Sequence, residues 1–254
     1  MADKQNAKNK KFWEFKNQTS DEADLYLYLE IASWGGGYYA HSAKSFKGEL
    51  DALGELKTLN VYINSPGGDV FEGVAIYNML KRHKAHVNIH VDGLAASIAS
   101  VITMAGDTII MPSNAMMMIH NAWMYTAGNA KDLREAADML EKVDTSIRQS
   151  YLTKAGDKLS EDDLILLMEA ETWLTAQEAF DYGLCDVVGE SKQVAAHANN
   201  KLLAKYRNVP AAIIPKEEPV AAPENKVLTE QQRQEIANNA RLELQNLKSY
   251  LGGI

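Results

Sequence analysis

Cysteine is almost absent from this chain: Cys185 stands alone among 254 residues. An internal disulfide framework is therefore excluded, which suits a reducing cytosol. Cys185 follows an apolar run in "YGLCDVV" and reads as a packed core residue rather than a nucleophile. No His/Cys cluster has metal-ligand spacing, since His41, His83, His86 and His197 are scattered, so neither a metal nor another cofactor is expected. Long apolar runs are missing as well: none approaches the roughly 18 residues of a membrane span. The opening "MADKQNAKNKKFW" lacks the apolar core of a secretory signal, and a soluble protein without a membrane partner is expected. Surplus positive charge is the last absence. A net charge of −8 and a pI near 5.3 argue against a nucleic-acid partner, because phosphate contacts need clustered Lys and Arg.

What is present suffices for one sizeable core, with 46% hydrophobic residues and a length that suits one to two domains. Residues 1–16 carry five lysines against one aspartate and one glutamate, so 1–19 reads as a flexible basic arm. From 20 to 205 strand and helix patterns alternate. "DLYLYLEIAS" and "LNVYINSPGG" read as strands, and "DVFEGVAIYNMLKRHK" as a helix with Val70, Val74, Tyr77 and Leu80 on one face. Further strands are expected at "DTIIMP", "AMMMIHNAW" and "LCDVVG". "TAQEAFDYGL" carries a capping box, Thr175 to Glu178, and a stop at Gly183. A long amphipathic helix spans 129–155, with Leu133, Ala136, Leu140, Val143, Ile147 and Tyr151 every three or four residues. This alternation indicates an α/β fold with at least part of its sheet parallel. Four of the six prolines fall within 210–223, so 206–228 reads as an extended, flexible linker and 229–254 as a helical tail.

Three local features bear on chemistry. "INSPGGDV" sets two glycines between a strand and a helix, where they allow close backbone approach and free outward-pointing amides. By itself such a turn is ordinary. Ser97, in "HVDGLAASIASVITMAG", stands at a helix start after small residues; an acyl-transfer nucleophile needs that place, and so does an N-cap serine. His120 closes an apolar strand, where an imidazole is costly to bury without a partner. Serine, histidine and an acid can converge from any chain order, so the spacing does not exclude a triad.

The blocks "YINSPGGDVFEGVAIYNML", "VDGLAASIASVITMAGD", "MMMIHNAW" and "TWLTAQEAFDYGLCDVV" occur in the order and spacing of the Clp-type serine peptidases, a resemblance covering about residues 25–190. It implies a Clp protease/crotonase-like fold with a long handle helix, and a serine endopeptidase. By that resemblance Ser97 is the nucleophile, His120 the base, and the amides of Gly68 and Ile98 the oxyanion hole. The family's acid is usually an aspartate three residues before the leucine of "FLSA-x-EA". Here that position is Glu171, with Glu169 a nearby competitor; its plainer reading is a solvated charge at a helix end. "FWEFKN" followed by "EADLYLYLEIASW" resembles the Clp-like head-maturation (prohead) proteases of tailed bacteriophages. That implies capsid and scaffold proteins as substrates and a location in the bacterial cytoplasm inside an immature capsid. The tail sets Ile236, Ala240, Leu244, Leu247 and Leu251 on one helical face, and this apolar face is expected to recruit the enzyme there. A ring-forming homo-oligomer is implied too, with the long helix between stacked rings. Two alternatives stay open: a Clp peptidase of cellular quality control served by an ATPase, and an acyl-CoA enzyme on the related crotonase fold.

Overall fold

Residues 11–16, 18–32, 41–190, 203 and 205–210 are described by the computed structural model, all within the unit Met1–Pro215. The tail at 229–254 and the linker beyond Pro210 lie outside the described residues. Period-two alternation builds the centre of the molecule. In β2 (Glu22–Tyr28) and β3 (Thr58–Ser65), Leu25, Leu27, Leu59, Val61 and Ile63 turn inward and are buried. On the opposite face Tyr26, Tyr62 and His90 stack across neighbouring strands, with ring centroids 4.8 and 5.0 Å apart.

The sheet has the order β1-β2-β3-β4-β5-β8, completed by β1 (Trp13–Lys16), β4 (His86–Ala96), β5 (Thr108–Pro112) and β8 (Val187–Gly189). Only β1 runs antiparallel on this path. β4 is long enough to serve two neighbours: Asn88–His90 pair with β5, and Leu94–Ala96 pair with β6 (Met116–Ile119). β6 is joined in turn by antiparallel β7 (Thr172–Thr175). The sheet therefore branches at the end of β4, and the branch carries the site.

Helices α1 (Ala43–Ala52), α2 (Val70–Lys81) and α3 (Ile98–Thr103) follow the strands, as a mostly parallel sheet requires. Asp69 caps α2 by accepting from the Phe71 and Glu72 amides. Thr175 and Glu178 form the expected capping box of α6 (Ala176–Asp181). Cys185 is buried against the Ile109 and Val187 carbonyls and burial pushes its thiol pKa up, so it is the inert core residue expected.

α4 (Ala130–Ala155) behaves differently along its length. Ile147, Tyr151 and Ala155 are buried, whereas in the first half Leu133 and Met139 are 46% and 53% exposed. Only its second half is thus buried against its own domain.

Three expectations need correction. The basic arm assigned to 1–19 is not free throughout: "WEFK" is strand β1, with Phe12 and Trp13 buried, because its apolar residues complete the sheet edge beside β2. A helix, α5 (Glu161–Glu169), and strand β7 stand where no element was expected. The linker does not begin at 206, because the stretch 205–208 is tied to the body of the protein, as described below.

Candidate active site

Strand registers bring the predicted residues together. Ala96 of β4 pairs with Met118 of β6, so both strands end at the same edge and hand over to Ser97 and His120. Ile119 of β6 pairs with Thr172 of β7, which sets Glu171 across from His120. Ser65 of β3 pairs with Ala95, which lays the Pro66–Gly67–Gly68 turn beside Ser97. Four chain segments thus meet at one rim of the branched sheet.

Ser97 is not a helix cap. Its side chain makes no capping hydrogen bond to α3, and its backbone sits at φ 56°, ψ −129°. For a residue with a Cβ such a conformation costs about 1–3 kcal/mol and persists only where its surroundings impose it. They do so here. The Ser97 amide donates to the Met118 carbonyl at 2.9 Å. Buried Ser100 Oγ lies 2.6 Å from the Ser97 carbonyl, 3.0 Å from that of Met118 and 2.7 Å from the Tyr151 hydroxyl of α4. The strain turns the Ser97 hydroxyl toward His120, and Oγ lies 2.7 Å from Nε2.

Burial holds the His120 pKa below its ordinary value, with the Glu171 charge opposing. The ring is therefore neutral near pH 7, as a general base must be. Glu171 occupies a turn at φ 52° between α5 and β7. Its Oε1 accepts the backbone N–H groups of Arg207 and Asn208 at 2.6 and 2.9 Å. Among the described residues no hydrogen bond joins it to His120, so the geometry gives a close Ser–His pair with a carboxylate beside it. Glu169, exposed at the end of α5, takes no part in this electrostatic balance.

The glycine turn presses against the serine. A methyl group at Gly67 would stand 2.7 Å from both the Ala96 carbonyl oxygen and Ser97 Cβ; at Gly68 it would stand 1.9 Å from the Ile31 carbonyl oxygen. Ile31 clamps the turn, its amide donating to the Gly67 carbonyl and its carbonyl accepting from Asp69, both at 2.7 Å. Among the described residues the amides of Gly68 and Ile98 have no acceptor, so both remain available to a developing oxyanion.

A cleft of about 410 Å³ opens over Ser97 and His120. Trp123 and Tyr125 line this cleft and are 44% and 91% exposed. Lys205 and Tyr206 also line it, and sequence reasoning missed both. Leu203 and Tyr206, three residues apart ahead of the proline-rich stretch, were the available signal.

Residues 42–192 match the family model described as Clp protease. Over 147 residues, covering 57% of this chain and 73% of the other, the sequence is 35% identical to the ATP-dependent Clp protease proteolytic subunit of Ligilactobacillus salivarius (strain UCC118).

Proposed function

The chain belongs to the Clp protease family of serine peptidases, and from that premise we propose that it cuts peptide bonds internally through Ser97, His120 and Glu171. His120 Nε2 takes the Ser97 proton as Oγ attacks the scissile carbonyl, then returns it to the leaving amine. The amides of Gly68 and Ile98 receive the oxyanion, and Glu171 balances the imidazolium. Hydrolysis needs no metal and no ATP in this scheme. The observation that carries it is the 2.7 Å contact from a strained, non-capping Ser97 to His120. A crotonase-type acyl-CoA enzyme has no use for such a pair.

The test is covalent. A fluorophosphonate probe should label wild type on Ser97, and peptide hydrolysis should fall by several orders of magnitude in Ser97→Ala, on the order of 10⁶ in a well-studied serine protease. Label on another serine, or full activity in the Ala variant, refutes the assignment.

The narrower proposal is that the substrates are scaffold and capsid proteins of a maturing phage head, inside the bacterial cytoplasm. It is supported by the "FWEFKN" and "EADLYLYLEIASW" resemblance. The Ligilactobacillus relative supports a cellular peptidase fed by an ATPase equally well. Portal and major capsid genes beside this one would favour the first, and ATP-driven degradation with an added unfoldase the second. In either setting we propose that the protein assembles with itself into rings, using the exposed first half of α4.

A further inference from the structure

The residues at the end of the domain and just past it reach back into the cleft. Leu203, 3% exposed, inserts among Leu94, Ala96 and Met118, and anchors this return beneath β4 and β6. Lys205 pairs with Glu30 at the cleft rim. The Tyr206 ring meets His120 edge-on, with centroids 5.3 Å apart, and packs on Trp173 at 6.0 Å. Its hydroxyl donates to the carbonyl of Pro66, two residues before the Gly68 oxyanion amide. The next two amides hold Glu171, and Asn208 Nδ2 donates to the Ala170 carbonyl at 2.9 Å.

We propose that the stretch 205–208 is part of the catalytic apparatus: Tyr206 is a positioning residue for His120 and for the oxyanion turn, and the Arg207 and Asn208 amides are the seat of Glu171. The proposal rests on the serine peptidase reading above. Its physical logic starts from the length of glutamate. Compared with aspartate, Glu171 has one more methylene and one more rotatable bond, so its carboxylate needs an external anchor to stay beside the base. Two amide donors on one oxygen supply that anchor, and hydrogen bonds to a charged acceptor are among the stronger kind.

Tyr206 does the same for the imidazole. The edge-on ring walls His120 off from water and restricts its rotation, while the phenol pins the peptide leading into Gly67. Burial pushes the Tyr206 pKa up to about 12, with the Ser97 side chain pulling the other way, so the phenol stays a neutral donor throughout the working range. Among the described residues the ionisable groups set against His120 are Glu171 and Tyr206. Glu30 and Lys205, paired with each other, and Asp69 and Tyr125 stand further around the cleft.

The full-length chain tests this with Tyr206→Ala and Tyr206→Phe, measured by kcat, KM and the pH profile of kcat/KM, alongside wild type and Ser97→Ala. Removing the ring admits water to His120 and lifts the burial that lowers its pKa. The acid limb should move to higher pH, and kcat should fall about 10- to 100-fold with KM nearly constant. Phe restores the wall but not the phenol, so its acid limb stays with wild type and its kcat lies between the two. Arg207→Pro deletes one donor to Glu171 and should cost roughly tenfold or more in kcat, as loss of one hydrogen bond to a charged group would.

Wild-type kcat in Phe, together with an unmoved acid limb in Ala, would reduce Tyr206 to a packing residue and overturn the proposal. A Tyr206→Ala enzyme faster than wild type would make the stretch a plug, which also overturns it. Wild type that fails to label on Ser97 would instead sink the peptidase reading, whatever the Tyr206 variants do.

Discussion

Gly67→Ala isolates the contact between the glycine turn and the nucleophile. The added methyl carbon would lie 2.7 Å from Ser97 Cβ and from the Ala96 carbonyl oxygen. Carbon atoms rest near 3.5 Å, so roughly 0.8 Å must be found by moving the turn, the serine or both. Gly67 also adopts φ +92°, which alanine reaches only at a cost of about 1–3 kcal/mol. The turn cannot simply swing away, because Ile31 bonds Gly67 and Asp69 on its far side. Displacing a reacting group by about 1 Å costs on the order of 10²-fold in rate, so kcat/KM on a fluorogenic peptide should fall about 10- to 100-fold. A strain of about 2 kcal/mol should lower Tm by roughly 4–8 °C in a chain of this size. Both readings come from one purified variant, with scanning calorimetry beside the peptide assay. Wild-type activity together with an unchanged Tm would refute the seating of the turn against Ser97.

Glu171→Gln keeps the shape and removes the charge that raises the His120 pKa against burial. The acid limb of kcat/KM should therefore move to lower pH while kcat falls, by as much as about 10⁴-fold where the acid is fully coupled to the base, and Glu169→Gln should do neither. Reversed outcomes would make Glu169 the acid. Glutamates at Leu133 and Met139, both exposed on the first half of α4, should dissociate the assembly by light scattering without unfolding the protomer. A stable, active wild-type monomer would end the ring proposal. Intact-mass measurements over time should show wild type, but not Ser97→Ala, losing a C-terminal fragment that begins after Pro210 and before about Lys226. Trimming of both would indicate a foreign protease.

Alternation and capping signals made most of the sheet, α2, α4 and α6 legible, because each pattern is local. Ser97 and His120 could be named on resemblance, but what separates a nucleophile from a cap is a backbone angle and a strand register, and neither is written in adjacent residues. β1 was hidden because four residues among lysines gain their stability from β2, not from their own pattern. Tyr206 was hidden by its neighbours: the prolines from 210 onward gave the whole region the composition of a linker. Its partners Pro66, His120 and Trp173 lie 140, 86 and 33 positions away in the chain. Glu171 was placed by spacing from Leu174, yet nothing in the spacing could reveal that its anchor comes from residues 36 and 37 positions later.

The ladders that join β4, β6 and β7 impose a phase on the site. Side chains alternate with period two, so one residue inserted within Met116–Ile119 would deliver His120 to the wrong face of the sheet. Two inserted residues would restore the face and overshoot along the strand by about 6.6 Å, more than twice the reach of a hydrogen bond. No whole-number slip preserves the pairing of Ser97 with His120. Length variation is therefore confined to segments outside the ladders, such as 121–129, where the chain can grow or shrink without disturbing that count. The groove wall carrying Trp123 and Tyr125 lies in that segment, so the surface that meets substrate is free to diverge while the chemistry beneath it stays in step.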